Sequence, residues 1–323
     1  MVLHDDTVRR RACGRALLIR PLLTALWLAA AALQSEPGLA ADAWLSPFSA
    51  DSPWNLPVPA GARFARDGDA RTLDLLAGGA LIHAGRWGMP LYLAGPDDPW
   101  TDIRDAENAR SFRARVPVAA LPDPMGDGHM FVVEPGRDAV LEMYRAVRSA
   151  PGLILTRRAF RVDLHGPGFF LRDGRFPGVR AMDASGFGGV LRAWEIRAGA
   201  VHHALTFLLP LSRLKHGPVW PSGREDFFGA RDYAGHVPIG TLAAIPRSVA
   251  LDRMGLSPPG LVLAHALQDY GAYCDDSVGT DGLVLTAESA AEGTAGLAAM
   301  RRDFPVIRRA LRVVANYERA LVH

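Results

Sequence analysis

Glycine and proline recur along the whole chain, 33 and 24 of them in 323 residues, and they limit how far any regular element can run. Proline fixes φ and removes a backbone donor, while glycine supplies the conformations that turns require. Many turns and short strands are therefore expected, with few long helices. Segments at 80–83, 89–93, 112–118, 153–156, 159–164 and 168–171 read as strands. Residues 129–134 and 140–145 flank a turn and read as a hairpin, and 272–276 reads as a strand entering a loop. Helices are predicted at 69–76, at 261–271 with Gly271 as the stop, and at 287–300 and 306–321 with Pro305 breaking the last pair. Residues 46–59 are extended and proline-rich and are expected on the outside of the domain, whereas 95–104 and 220–233 read as loops. The middle of the chain lacks the helices that a parallel α/β fold places after nearly every strand. The expected fold is all-β with minor helices, a β-sandwich or jelly roll.

The first 41 residues stand apart. Arg9, Arg10, Arg11 and Arg15 precede an apolar run at 16–33, and Ala41-Asp42-Ala43 offers a small-x-small cleavage site. This is the pattern of a secretory signal peptide. An uncleaved anchor is the alternative, against which stand the shortness of the run and Pro21 within it. The triple arginine hints at twin-arginine export without completing that pattern. Residues 42–323 are then one β-rich domain with a helical C-terminal segment, located in the periplasm or outside the cell, with no stable membrane insertion after cleavage.

Cleavage would remove five arginines and three acids from totals of 36 basic and 34 acidic residues, leaving 31 of each. With that balance and no basic stripe carrying aromatics, nucleic acid is excluded as a partner. Cys13 lies in the signal, so Cys274 is alone and no internal disulfide forms. Asp275 and Asp276 beside it disfavour a thiolate, which makes Cys274 a buried spectator.

No phosphate loop, dinucleotide fingerprint, H-E-x-x-H or G-x-S-x-G elbow is present. The unusual stretch is 180–210, where apolar residues that read as two strands around Gly199 carry Arg192, Glu195, His202 and His203. Glu195 and His203 stand four residues either side of Gly199, so a three-residue hairpin turn would set them face to face; a one-residue slip pairs Glu195 with His202. A carboxylate against an imidazole suits acid–base catalysis, or else a structural pair on a half-exposed sheet. His129 opens its strand behind Asp123, Asp127 and Gly128, and Glu142 lies on the returning strand.

Tyr270, Tyr273, Asp275 and Asp276 form a second cluster, of the kind that binds sugars or that merely anchors core tyrosines. The expected catalytic residues are Glu195, His203, His129, Asp275 and Tyr270. Arg192, Glu142, Asp127, Tyr273 and His202 are expected to bind substrate. Asp127, His129, Glu142, Glu195 and His203 offer oxygen and imidazole ligands, but without tight histidine spacing no metal or other cofactor is assigned.

Several segments resemble a large family of secreted, β-rich bacterial proteins. They are Ser52-Pro53-Trp54-Asn55-Leu56-Pro57, the His129–Pro135 strand with Leu141-Glu142-x-Tyr144, the long S-G-x-G-G-x-x-R-x-x-E-I…H-A-L string over 185–205, and A-L-Q-x-Y-G-A-Y-x-x-D over 266–276. The chain departs from the family's P-x-G-T-R run, with Leu242 after Pro238-Ile239-Gly240-Thr241. The resemblance implies an exported protein acting on cell-surface or environmental polysaccharide and carries no catalytic assignment. Taken with the candidate residues, the expectation is an exported enzyme that cleaves a polysaccharide. Hydrolysis would use Glu195 with Asp275, Asp276 or Glu142. In β-elimination, His203 or Tyr270 would be the base and Arg192 would neutralise a uronate. A non-catalytic glycan-binding or envelope-assembly protein is the third reading.

Overall fold

The computed structural model describes residues 43–169 and 178–317. The signal segment, residues 170–171 of the strand expected at 168–171 and residues 318–321 of the helix expected at 306–321 lie outside them; within the described residues that helix ends at Arg309, and Arg312–Val313 is a strand. The strands are β1 Gly79–His83, β2 Leu91–Leu93, β3 Trp100–Asp105, β4 Arg110–Arg115, β5 Met130–Val133, β6 Ala139–Tyr144, β7 Val147–Ala150 and β8 Leu153–Thr156. They continue with β9 Arg158–Asp163, β10 Leu205–Leu209, β11 Leu214–Lys215, β12 Val237–Pro238, β13 Leu242–Ala244, β14 Ala272–Ser277, β15 Gly282–Thr286 and β16 Arg312–Val313. The helices are α1 Ala70–Leu76, α2 Ala193–Ala198, α3 Gly229–Asp232, α4 Pro258–Asp269 and α5 Ala295–Arg309. The protein is β-rich, 29% strand against 20% helix, and its sheets are mixed.

Three sheets make the body. One is ordered β4-β3-β8-β7, the second β2-β5-β6-β9, and the third, six-stranded, β1-β15-β10-β14-β13-β16. The two four-stranded sheets face each other across one apolar cluster that includes Ile103, Ala114, Met130, Val132, Leu141, Met143 and Ile154. Because side chains alternate along a strand, Phe131, Val133, Val140 and Val162 leave the second sheet on its other face. They join the main core with Leu205, Phe207, Leu283 and Leu285 of the six-stranded sheet. The β5–β6 pair is thus buried on both faces, which is why Met130–Val133 reads as an unbroken apolar run. The described residues, 43–169 and 178–317, fall in one compact unit.

The expected β5–β6 hairpin is present. Helix α4 starts at Ser257, whose hydroxyl accepts from Gly260 N–H, with Pro258 in the first turn. It stops at Gly271, φ +75°. Asp69 caps α1.

Four expectations are corrected. Residues 193–198 form a helix, not the first strand of a hairpin. The Glu195 carboxylate accepts from the Arg192 backbone N–H at the helix start, at 2.9 Å, and Gly199, φ +71°, is the helix C-cap, with its N–H donating to the Glu195 carbonyl. A left-handed glycine serves a hairpin turn and a helix end equally, so the residue itself does not discriminate. The 46–59 segment does not lie outside: Phe48, Trp54 and Val58 are core residues. Trp54 lies 4.5 Å from Phe169 ring to ring, and its indole N–H donates to the Gly168 carbonyl. Gly188 and Gly189 make room for it, since a Cβ on either would strike the Trp54 ring.

The loop expected at 95–104 contains most of β3, whose polar residues alternate with buried Thr101, Ile103 and Asp105. Pro305 sits inside α5 without breaking it. It lies on the exposed side of the helix, where water can take the carbonyl that its missing N–H leaves.

Candidate active site

The site is assembled where β5, β6 and β14 end. Before β5, the buried Asp123 carboxylate accepts from the backbone N–H groups of Gly126 and His129, the latter at 2.6 Å. Gly128 takes φ +65°. This closed turn presents exposed Asp127 and buried His129 side by side. After β6, Arg145 donates its backbone N–H to the Asp127 carbonyl at 2.9 Å, joining the two ends of the hairpin.

Arg180 occupies the centre, with 4% of its side chain exposed. Its Nε and Nη2 donate to Asp275 Oδ2 and Oδ1 at 2.8 and 3.1 Å. Nη2 also lies 3.7 Å from Asp276 Oδ2. Buried but surrounded by Asp275, Asp276 and Asp127, the guanidinium is held charged. One cation faces two adjacent carboxyl groups, and its geometry favours Asp275. Asp276 is therefore raised, to about 8, by burial first and by the nearby Asp226 and Asp275 charges against the pull of Arg180. Its side chain remains 17% exposed, so the protonated carboxyl is reachable. His129 is displaced the opposite way, down to about 3, chiefly by burial and then by Arg180, which keeps the imidazole neutral. Its Nδ1 is buried and has no hydrogen-bond partner.

These residues line two adjoining cavities that share Asp127, Arg180, Asp276 and Ser277 in their walls. The first, about 470 Å³, extends past His129, His83, Trp87 and Met125. The second, about 490 Å³, extends past Tyr144, Arg145, Arg157, Arg158, Asp226 and Phe227. A large aromatic is exposed in each arm: Trp87 at 50% and Phe227 at 85%. Phe227 belongs to the 220–233 segment, expected as a long loop and containing only the four-residue α3. There the Tyr233 hydroxyl donates to Asp226 at 2.7 Å.

Of the residues expected from sequence, Asp127, His129 and Asp275 meet at this cleft, Asp275 acting through Arg180. Glu195 and His203 do pair, with His203 Nε2 2.9 Å from Glu195 Oε1. They are buried with Arg192, whose Nη2 donates to the Phe187 carbonyl at 2.8 Å and whose guanidinium covers the Phe187 ring. None of the three lines either cavity, and the group ties α2 to β10. The expectation that they form the wall of a site is corrected. Glu142 is likewise interior: it accepts from the Ser185 hydroxyl and from the Gly186 and Phe187 N–H groups, pinning the glycine-rich bend. Burial raises it to about 7 despite those donors. Tyr273 is a core residue with its hydroxyl 2.7 Å from that of Tyr317. Tyr270 caps α4 and packs against the core, and His202 is exposed away from both cavities.

Sequence reasoning missed Arg180, Trp87, Phe227, Tyr144 and Asp226 as site residues. The run Tyr273-Cys274-Asp275-Asp276, charge on a strand that enters the core, and the Asp127-Gly128-His129 turn ahead of its strand both pointed toward the right place. Cys274 is fully buried and its thiol is pushed up by burial, then by Asp275 and Asp276.

A larger groove, about 790 Å³, runs along β4 beside Trp100, Phe112 and Arg115. Among the described residues its one lining acid is Glu134, engaged by Arg161 at 2.7 Å, so the described lining offers no free acid–base pair. Among the described residues no cluster of three or more His, Cys, Asp or Glu is arranged to hold a metal, and no helix is long and apolar enough to cross a membrane. Comparison with protein-family models, curated proteins and solved structures finds no match to this chain.

Proposed function

We propose that this protein is an exported carbohydrate-active enzyme that cleaves a polysaccharide as a glycoside hydrolase, with the chemistry in the Arg180 cleft. One observation carries the reading: the carboxyl at the junction of the two cavities, Asp276, is held protonated near neutral pH while staying accessible. A glycosidic oxygen needs a proton as its bond to the anomeric carbon breaks, and a carboxylic acid raised by a dry, anionic setting supplies it. Asp127, exposed at the same junction, activates water or attacks the anomeric carbon directly. Trp87 and Phe227 offer apolar faces to sugar rings on either side. The two facing four-stranded sheets are compatible with the β-sandwich expected of such a protein, the N-terminal signal pattern supports a location beyond the cytoplasmic membrane, and the family resemblance supports the same substrate class.

β-Elimination is the second reading, favoured by the unpartnered Nδ1 of neutral His129. There His129 would remove the proton at C5 of a uronate, the C4–O bond would break to leave a C4–C5 double bond, and Asp276 would protonate the departing oxygen.

Purified protein assayed against neutral and uronic polysaccharides, following reducing ends and ultraviolet absorbance together, separates the readings. Reducing ends without absorbance support hydrolysis. Absorbance appearing with every new end transfers the proposal to elimination. Glycan binding with no product from any substrate rejects both and leaves a binding protein.

A further inference from the structure

The second arm of the cleft carries more cationic groups than its structural ion pairs use. Arg157 and Arg158 share a single acid, with Nε–O distances of 3.0 and 2.5 Å to the two oxygens of Glu107. The β6–β9 register sets Tyr144 opposite Arg158, which brings Arg145 to the same wall. Arg145 is exposed and lines the cavity, and its guanidinium lies 5.5 Å from the Tyr144 ring centroid. Its backbone is in the left-handed region, φ +51°. That conformation is unfavourable for an arginine and persists only where the surroundings impose it. Here it turns the residue out of the strand direction at the point where β6 meets the Asp127 turn. On the facing wall, the Glu225 carboxylate is taken by His216 and Gly217 N–H, and Asp226 by the Tyr233 hydroxyl. Each of those carboxylates has a donor of its own, and Arg145, exposed on the opposite wall, forms no ion pair among the described residues, although Asp127, Asp226 and Asp276 keep acid in the same cavity.

We propose that this arm selects an acidic sugar, with the carboxylate of a uronic acid residue received by Arg145 and supported by the Arg157–Arg158 pair. The sugar bearing that carboxylate stacks toward Phe227, and the bond to be cleaved lies at Asp276, between this arm and the Trp87 arm. Guanidinium–carboxylate recognition is directional and charge-assisted, so it discriminates an acid from its alcohol more sharply than the aromatic contacts can. The inference rests on the reading that the cleft binds glycan, and its test keeps the two apart.

Calorimetric titration of the full chain carrying Asp276→Asn, which slows turnover, would use hexamers of galacturonate, mannuronate and alternating glucuronate, together with their carboxyl-reduced forms and neutral hexamers. At least one acidic hexamer should bind about tenfold to a hundredfold more tightly than its reduced form. Adding Arg145→Gly, which suits the left-handed backbone and removes the charge, should erase that difference without lowering the thermal midpoint, and Arg145→Lys in its place should keep part of it. Equal binding of acidic and reduced hexamers, or a preference that survives Arg145→Gly, overturns the acidic-sugar proposal while leaving the glycan cleft standing. Absence of binding by every hexamer overturns both.

Discussion

Arg180 and Asp275 form a two-pronged ion pair with 4% and 2% of their side chains exposed, and the residue next to it, Asp276, is left without a cation of its own. Consecutive strand residues point to opposite faces of a sheet, yet both carboxyl groups lie near one guanidinium. A register shift between Phe207 and Leu208 on the neighbouring strand accompanies this, carrying the pairing from Cys274 to Asp276. From that relationship follows the protonation state on which the chemistry depends.

Asp276→Asn should lower kcat/KM by about 10²- to 10⁴-fold, the range for loss of a positioned acid. In the unaltered enzyme the acid works only when protonated, and its pKa is raised to about 8. Activity should hold below that pH and fall as pH rises through it. A pH–rate profile with no alkaline limb near 8 would remove Asp276 from the role.

Asp275→Asn leaves a buried guanidinium without its two-pronged partner. Breaking such a pair costs about 3–5 kcal/mol, which urea unfolding would show. Arg180 then turns its charge on Asp276, 3.7 Å away. The alkaline limb should move to lower pH, an effect that simple destabilisation does not produce.

Glu195→Gln should lower the thermal midpoint and leave kcat within about twofold, because the residue holds α2 to β10 and lies outside the cleft. Turnover lost in a variant that still unfolds cooperatively would return the Glu195–His203 pair to the catalytic machinery.

Glu142 ties stability to pH. Its folded pKa, about 7, is raised above the ordinary carboxylate value, so the folded state holds the proton more tightly. Its contribution is complete below about pH 4.5 and is lost as pH rises through 7, on the order of 3 kcal/mol in all. Unfolding free energies compared between wild type and Glu142→Gln from pH 5 to 8 should show that slope in the former and a flatter line in the latter.

Trp54→Ala should cost about 3–5 kcal/mol. Gly188→Ala should also destabilise, since its new methyl meets the Trp54 ring. The double variant should lose less than the sum, because removing the indole opens the space the methyl needs. Additive losses would mean that the two residues do not oppose each other.

Where local pattern carried the information, it was legible. Two apolar runs either side of a Pro-Gly turn located the β5–β6 hairpin, and Gly271 marked the end of α4, whose start lies three residues before the expected one. The Glu195–His203 contact could also be read, though from the wrong local structure: eight residues apart, they meet across a helix end instead of a hairpin. Their role could not be read, because the pattern of a strand with charges is the same whether the pair faces a cleft or a core. Trp54 was misplaced for a related reason, since extended proline-rich backbone does not say whether its side chains point inward.

The sequence by itself determined the β-rich character of the protein, the short elements, the isolation of Cys274 and the chemistry on offer: carboxyl groups, imidazoles and arginines on strand ends. Only the tertiary structure decided which of these meet. Arg180, Asp127, His129 and Asp276 come from three distant segments, and sequence spacing holds no record of a distance closed by packing. The protonation of Asp276 depends on the same closure, because it arises from burial and from the one cation that the fold has given to its neighbour.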